Sequence, residues 1–442
     1  MRNWTVGSGC CVALAWVLAG ACSSNPEKHE LTAASSSSTG GADGVAPSSS
    51  ATDGVGGGFS PVGSSGSGGG VVPCDKPAPS EDFDQDGYTG AAGDCNDCDP
   101  NVNPGAIEAP TKNGAMAFDE NCNGQTDEVS DLVACDDDLA VDEADAMVAA
   151  KAVGICKVST GVKDWGLVSA KWVLPDGAPP PSDVTESANF HLGHGVLPQF
   201  GKVVKVREGK RMLALSSGTG REPGTPGYKS VSGFSKGYSS GQPTGFPKES
   251  PACPGDITGE PHDGAALELE LRVPTNAHGL AFDFDFFTYE WPNFVCSSYN
   301  DFFVALLEPF PAKQLDGNIS FDQMGNPISV NNAFLGVCGC PGNPPSPCQA
   351  GGKSFTCALG NSELLGTGFG FDSGSFSNDH GSTSWLSSQA PVTASGKTDS
   401  VIKLRWGVYD SGDGVLDSTT LVDKFRWIVE PGVAVVTEPP PK

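Results

Sequence analysis

The chain has 442 residues, with 26 Lys and Arg against 53 Asp and Glu, a formal net charge of −27. Such a field repels phosphates, which argues against nucleic acid as a partner, and attracts divalent cations. The 15 cysteines and only 6 histidines point toward disulfide chemistry in an exported protein and away from a His-based catalytic site.

Residues 1–21 read as a signal peptide: Arg2 precedes an apolar run from Cys10 to Ala21, too short to span a membrane. The small residues Ala19-Gly20-Ala21 before Cys22 resemble a lipobox, so Cys22 is expected to carry a lipid. Ser23 after it suits the outer membrane, with possible exposure at the cell surface; the alternative is an ordinary cleaved signal and a secreted product. Residues 22–73 are Ser, Gly, Ala and Thr with almost no large apolar side chains. A segment like this cannot bury enough surface to offset its ordering entropy, and reads as a tether spanning roughly 40 Å.

The next segment, residues 74–130, holds twelve carboxylates between Glu81 and Glu128 against one base, Lys112. Their spacing carries the argument. Asp82, Asp84 and Asp86 alternate and are followed by Gly87; Asp119, Asn121 and Asn123 repeat this before Gly124. Oxygens at positions one, three and five of a tight loop converge on one point. Glycine at six lets the backbone turn, so the next carbonyl (Tyr88 or Gln125) can also face inward. Calcium takes six to eight such oxygens at about 2.3–2.6 Å. The twelfth position of a full EF-hand loop is Glu, but here it is Gly93 or Ser130. Closing ligands are therefore expected from Asp94, Asp97 or Asp99 in the first loop and Asp127 or Glu128 in the second. The alternative is an acidic linker that binds cations loosely.

The runs DxDGYT, GDCND-DP-NPGA-E and D-NCNGQTDE resemble the metal-binding repeat of secreted bacterial proteins, related to the MopE-type copper-binding repeat. Cys98 stands where such repeats carry Asp or Asn, and Ala109 follows Glu108 where a cysteine is common. The family name speaks of copper. Here the donors are oxygens, histidine is absent from the stretch and thiols are expected as disulfides. Ligand softness favours calcium, with copper as the alternative.

Asp138 to Val153 reads as a helix stopped by Gly154, with Leu139, Ala144, Met147 and Val148 along one side. Sixteen helical residues would span about 24 Å, which disfavours a bridge between Cys135 and Cys156, since bridged Cα atoms lie within about 7 Å. Cys338, Cys340, Cys348 and Cys357 match no zinc-module spacing and read as disulfides.

From residue 131 to 432 the pattern becomes β. Leu267, Leu269, Leu271 and Val273 alternate with Glu268, Glu270 and Arg272; Leu280, Phe282, Phe284 and Phe286 alternate with Ala281, Asp283 and Asp285. Further strand-like runs are Tyr299–Leu307, Val401–Tyr409 and Lys424–Val429, with Gly220–Pro254 a long surface loop and 433–442 a Pro-rich tail. These features predict a mainly β, jelly-roll-like sandwich with one N-terminal helix, preceded by the small acidic module. The runs REGKRMLALSSGTGR, FDFFTYEWPNFVCSSYNDFFVALL, ISVNNAFLGVC and YDSGDGVLDSTTLVDKFRW resemble the choice-of-anchor L domain of secreted bacterial proteins, over roughly Asp136 to Glu430. That likeness implies location and fold more than activity.

Asp410, Asp413 and Asp417, with Asp423 at the next strand, form either a second calcium loop or a polar turn. Glu290, Asn300 and Asp301 near Cys296 read as a structural polar cluster. His191-Leu-Gly-His194 lacks the glutamate of HExxH, and no GxSxG elbow occurs. The reading is a non-enzymatic, lipid-anchored envelope protein that binds divalent cation and takes part in surface binding or adhesion to a glycan or protein. A secreted hydrolase and a copper-binding envelope protein are the alternatives.

Overall fold

The computed structural model describes residues 79–440, apart from 110, 112–116, 129–133, 257, 313, 333, 340–347, 371–379 and 393–399. The chain divides into two compact units, Met1–Gly70 and Val71–Lys442. The first, with the expected signal peptide, Cys22 and most of the tether, lies outside the described residues. No described helix is long and apolar enough to cross a membrane.

The second unit is built on two antiparallel sheets. One runs, edge to edge, Gly166–Val173, Pro261–Arg272, Val401–Ser411, Phe302–Glu308 and Ile328–Ser329. The other is eight-stranded and runs Val337–Cys338, Gly381–Ser382, Gly279–Thr288, Ser418–Ile428, Met212–Ser216 and His194–Leu197. Leu386–Pro391 pairs with the first half of Gly279–Thr288, and Val436–Glu438 pairs with Leu386–Pro391. Neighbouring strands are mostly distant in sequence, so the chain crosses repeatedly from sheet to sheet, as a jelly-roll-like sandwich requires.

The alternation read from the sequence builds the core. Leu267, Leu269 and Leu271 pack with Phe282, Phe284 and Phe286 in one buried cluster, joined by Leu404, Trp406 and Val408. Phe282 meets Trp406 edge-on at 5.2 Å between ring centres, a contact from sheet to sheet. The opposite face of Gly279–Thr288 is also buried, so Asp283 and Asp285 are interior residues rather than solvent-facing ones. Arg207 and Arg426 pair with Asp283, and Ser382 donates to Asp285 at 2.6 Å.

Five expectations are corrected. The helix expected over Asp138–Val153 is confined to Ala146–Ala149, continued as one 3-10 turn over Ala150–Val153 and ended by Gly154 at φ 90°. Asp145 caps it, accepting from Met147 N at 2.9 Å, so the chain before it is free to turn back. Cys135 and Cys156 are accordingly bridged, with Cα atoms 5.7 Å apart. A second helix, Val184–Leu192, buries only Phe190 and so leaves no apolar stripe to read. The Gly220–Pro254 segment lacks strands but is no mere surface loop: it buries Val231, Lys236, Tyr238 and Phe246, the last against Phe302 and Tyr409. The C-terminal segment contributes the strand Val436–Glu438, with Thr437 buried.

Further bridges join Cys95 to Cys122, Cys253 to Cys296 and Cys338 to Cys357; Cys98 and Cys348 are disulfide-bonded too. Cys340 lies outside the described residues.

Candidate metal centre

The first acidic loop is shaped by its own side chains. Gly87 N–H donates to Asp82 Oδ2 at 3.0 Å, Asp86 N–H to Asp84 Oδ1 at 3.2 Å and Tyr88 N–H to Asp86 Oδ1 at 2.7 Å. Gly87 adopts φ 96°, a left-handed turn that glycine makes without steric cost. Asp97 crosses to the same loop, where its Oδ1 accepts from Phe83 N at 2.8 Å, while Asp94 Oδ1 accepts from Asn96 N at 2.8 Å.

The effect is to split each carboxylate between two tasks. One oxygen holds a backbone N–H; the second oxygens of Asp82, Asp84, Asp86 and Asp94 are buried without a hydrogen bond. Ligating oxygens of Asp82, Asp84 and Asp86, and again of Asp84, Asp94 and Asp97, lie within 4.8 Å of one another. Asp84 belongs to both groups and joins them into one site. Asp99 stands apart, accepting from Asn101 N and Nδ2 at 3.1 and 2.9 Å.

Crowding and burial show in the protonation of these groups. Burial first, then the charges of Asp94, Asp97 and Asp82, push Asp84 up to about 6. Burial, with Asp84 and Asp94, pushes Asp86 up to about 7, and Asp94 is raised by burial and its acidic neighbours. Carboxylates that resist ionisation for want of a positive neighbour are poised to exchange protons for a cation.

The second loop repeats the turn but spends its oxygens differently. Gly124 N–H donates to Asp119 Oδ2 at 2.8 Å, Asn123 N–H to Asp119 Oδ1 and to Asn121 Oδ1 at 3.1 Å, and Gln125 N–H to Asn123 Oδ1 at 2.8 Å. Both carboxylate oxygens of Asp127 accept from Thr111, and Glu128 Oε1 accepts from the side-chain amides of Asn121 and Asn123. No group of three acidic, His or Cys side chains gathers there among the described residues. The loops are tied together by Cys95–Cys122 and by the Asn103 N–H bond to Glu120 O at 2.9 Å.

The acidic segment is seated on the sandwich. Asn276 exchanges two hydrogen bonds with the Ile107 backbone, at 3.0 and 2.7 Å, and Thr275 donates to Asn103 Oδ1 at 2.8 Å. Tyr88 donates its hydroxyl to Lys163 O, and Lys163 donates to Gly87 O. A cavity of about 780 Å³ opens between the two parts, with Glu108 and Asp127 on one side and Trp165, Phe425 and Trp427 on the other.

Residues 94–128 match the family model of the MopE copper-binding type, described as "Putative metal-binding motif". No curated protein and no solved structure matches the chain. The matched stretch supplies Asp94 and Asp97, and the loop Asp82–Asp86 before it supplies the rest of the cluster. The donor set is all oxygen, since Cys95, Cys98 and Cys122 are in disulfides. These residues fit a metal ion of hard preference.

The quartet Asp410, Asp413, Asp417 and Asp423 does not form one site. Asp423 lies along the strand Ser418–Ile428 and accepts from Arg207 N at 2.6 Å and from Lys424 N at 2.6 Å. Asp413 accepts from Val415 N at 3.1 Å, and Asp417 is buried against Gly218. Asp410 instead joins Glu290 and Asp301, which sequence reading set aside as structural. The missed signal was a carboxylate standing alone among aromatics in both TYEWPNF and YNDFF.

Proposed function

We propose that this protein is a cell-envelope lipoprotein whose acidic repeat binds calcium and whose sandwich serves surface binding or adhesion without catalysis. The observation that carries the calcium reading is the set of buried second oxygens on Asp82, Asp84, Asp86 and Asp94, around which no His or free thiol stands among the described residues. Oxygen-only donors on a tight loop suit calcium better than copper. The choice-of-anchor L resemblance supports an anchored location. The cavity edged by Trp165 and Trp427 suits the apolar faces of a glycan or peptide.

The test is calcium titration of the full chain by calorimetry, beside Asp84→Ala. Asp84 is shared by both carboxylate groups. Its loss is expected to weaken calcium binding at least about tenfold, a change of roughly 1.4 kcal/mol, and to expose residues 81–128 to protease. Equal affinity in parent and variant, or copper binding that calcium fails to displace, would sink the calcium reading.

A further inference from the structure

One end of the sandwich buries negative charge that no described basic side chain pairs with. Glu290 follows the strand Gly279–Thr288 of one sheet. Asp301 precedes Phe302–Glu308, and Asp410 lies near the end of Val401–Ser411, both in the other sheet. Ligating oxygens from the three lie within 4.8 Å of one another, and no residue of the three is more than 1% exposed. Asp301 N–H donates to Glu290 Oε2 at 3.1 Å and so orients that carboxylate. Both oxygens of Asp301 and both of Asp410 are buried, and the two carboxylates face each other. Lys236, close enough for its charge to reach Asp410, is occupied with Ser216 O at 2.9 Å.

Two neutral oxygens accompany the acids. Ser418, wholly buried, sets its hydroxyl against the Asp301 carboxylate. The neighbouring Asn300 buries its Oδ1 unpartnered. Three ionised carboxylates cannot share an interior without positive charge among them. Oxygens that all lie within 4.8 Å of one another are close enough to share one ion with bonds of about 2.4 Å.

We propose that Glu290, Asp301 and Asp410 hold a calcium ion, with Asn300 and Ser418 contributing neutral oxygens, and that this ion clamps the two sheets together at that end. The site is distinct from the acidic repeat and does not depend on it.

Bound calcium is counted on the full chain by equilibrium dialysis and elemental analysis, for the parent, for Asp301→Asn/Asp410→Asn, and for Asp84→Asn/Asp94→Asn. The sandwich variant is expected to lose one calcium per chain, and the repeat variant to keep that ion. An unchanged count in the sandwich variant overturns the proposal. An unchanged count in the repeat variant overturns only the reading of the repeat. Should the sandwich variant fail to fold, terbium luminescence on Trp291→Phe decides, because Trp291 adjoins Glu290. Sensitised emission is expected to fall in that variant, and emission equal to the parent's overturns the site.

Discussion

Gly124 isolates one contribution of a single residue to the acidic repeat. It adopts φ 89°, and a Cβ built there would meet nothing within 4 Å. Alanine therefore adds backbone strain and no clash, costing about 1 kcal/mol. Its N–H to Asp119 Oδ2 is retained. Gly124→Ala is expected to lower hydrogen-exchange protection across residues 119–128 by that amount while leaving the calcium count of the first loop unchanged. A loss of several kcal/mol would mean that the second loop holds an ion as well. Gly218 is the opposite case, since a Cβ there would fall 1.8 Å from Asp417 Oδ2.

At the level of elements, the strands Pro261–Arg272 and Val401–Ser411 place Glu268 opposite Arg405. The guanidinium donates from Nε to Glu268 Oε2 at 2.9 Å, and both side chains are nearly buried, at 10% and 11% exposure. Removing Arg405 leaves Glu268 only the longer contact with Lys403 at 3.8 Å, whereas removing both takes the buried charge away. Arg405→Ala is expected to cost about 3–5 kcal/mol, and Glu268→Leu/Arg405→Leu to recover most of it. Thermal melting of the two variants checks this: a double variant no more stable than the single would show that the pair itself, rather than the stranded charge, holds the strands. The register that opposes these residues also carries Asp410 to the sandwich end, so strand pairing decides which carboxylates meet.

For the whole molecule the relevant quantity is the number of carboxylates buried without a cation. Burial pushes Asp285 up to about 8, Asp86, Asp301 and Asp423 to about 7 and Asp84 to about 6, all from 3.8. Between 3.8 and about 8 the metal-free folded chain binds more protons than the unfolded one. Its stability is then fully present below 3.8 and falls as pH rises through the raised values. On the proposed calcium reading, the ion takes the place of those protons, so its stabilisation grows in the same direction. Melting in chelator is expected to show a falling Tm as pH climbs across this window, and calcium to raise Tm most at the alkaline end. A chelated chain whose Tm rises with pH would contradict this account of the buried acids.

What the sequence by itself determined is what depends on neighbours in the chain. Two-residue alternation in 267–273 and 280–286 reflects strand geometry, and Asp-x-Asp-x-Asp-Gly shapes a turn through bonds spanning at most five residues. Cysteine number and charge likewise declared a disulfide-bearing, cation-seeking chain. Only the tertiary structure decided that Cys135 meets Cys156, because a helix that starts only at Ala146 leaves the residues before it to double back. It also buried the face of Gly279–Thr288 that carries Asp283 and Asp285, and it brought Glu290 and Asp301 to Asp410. Those carboxylates sit on segments far apart in sequence, and their meeting is set by sheet register and crossover, which leave no local trace.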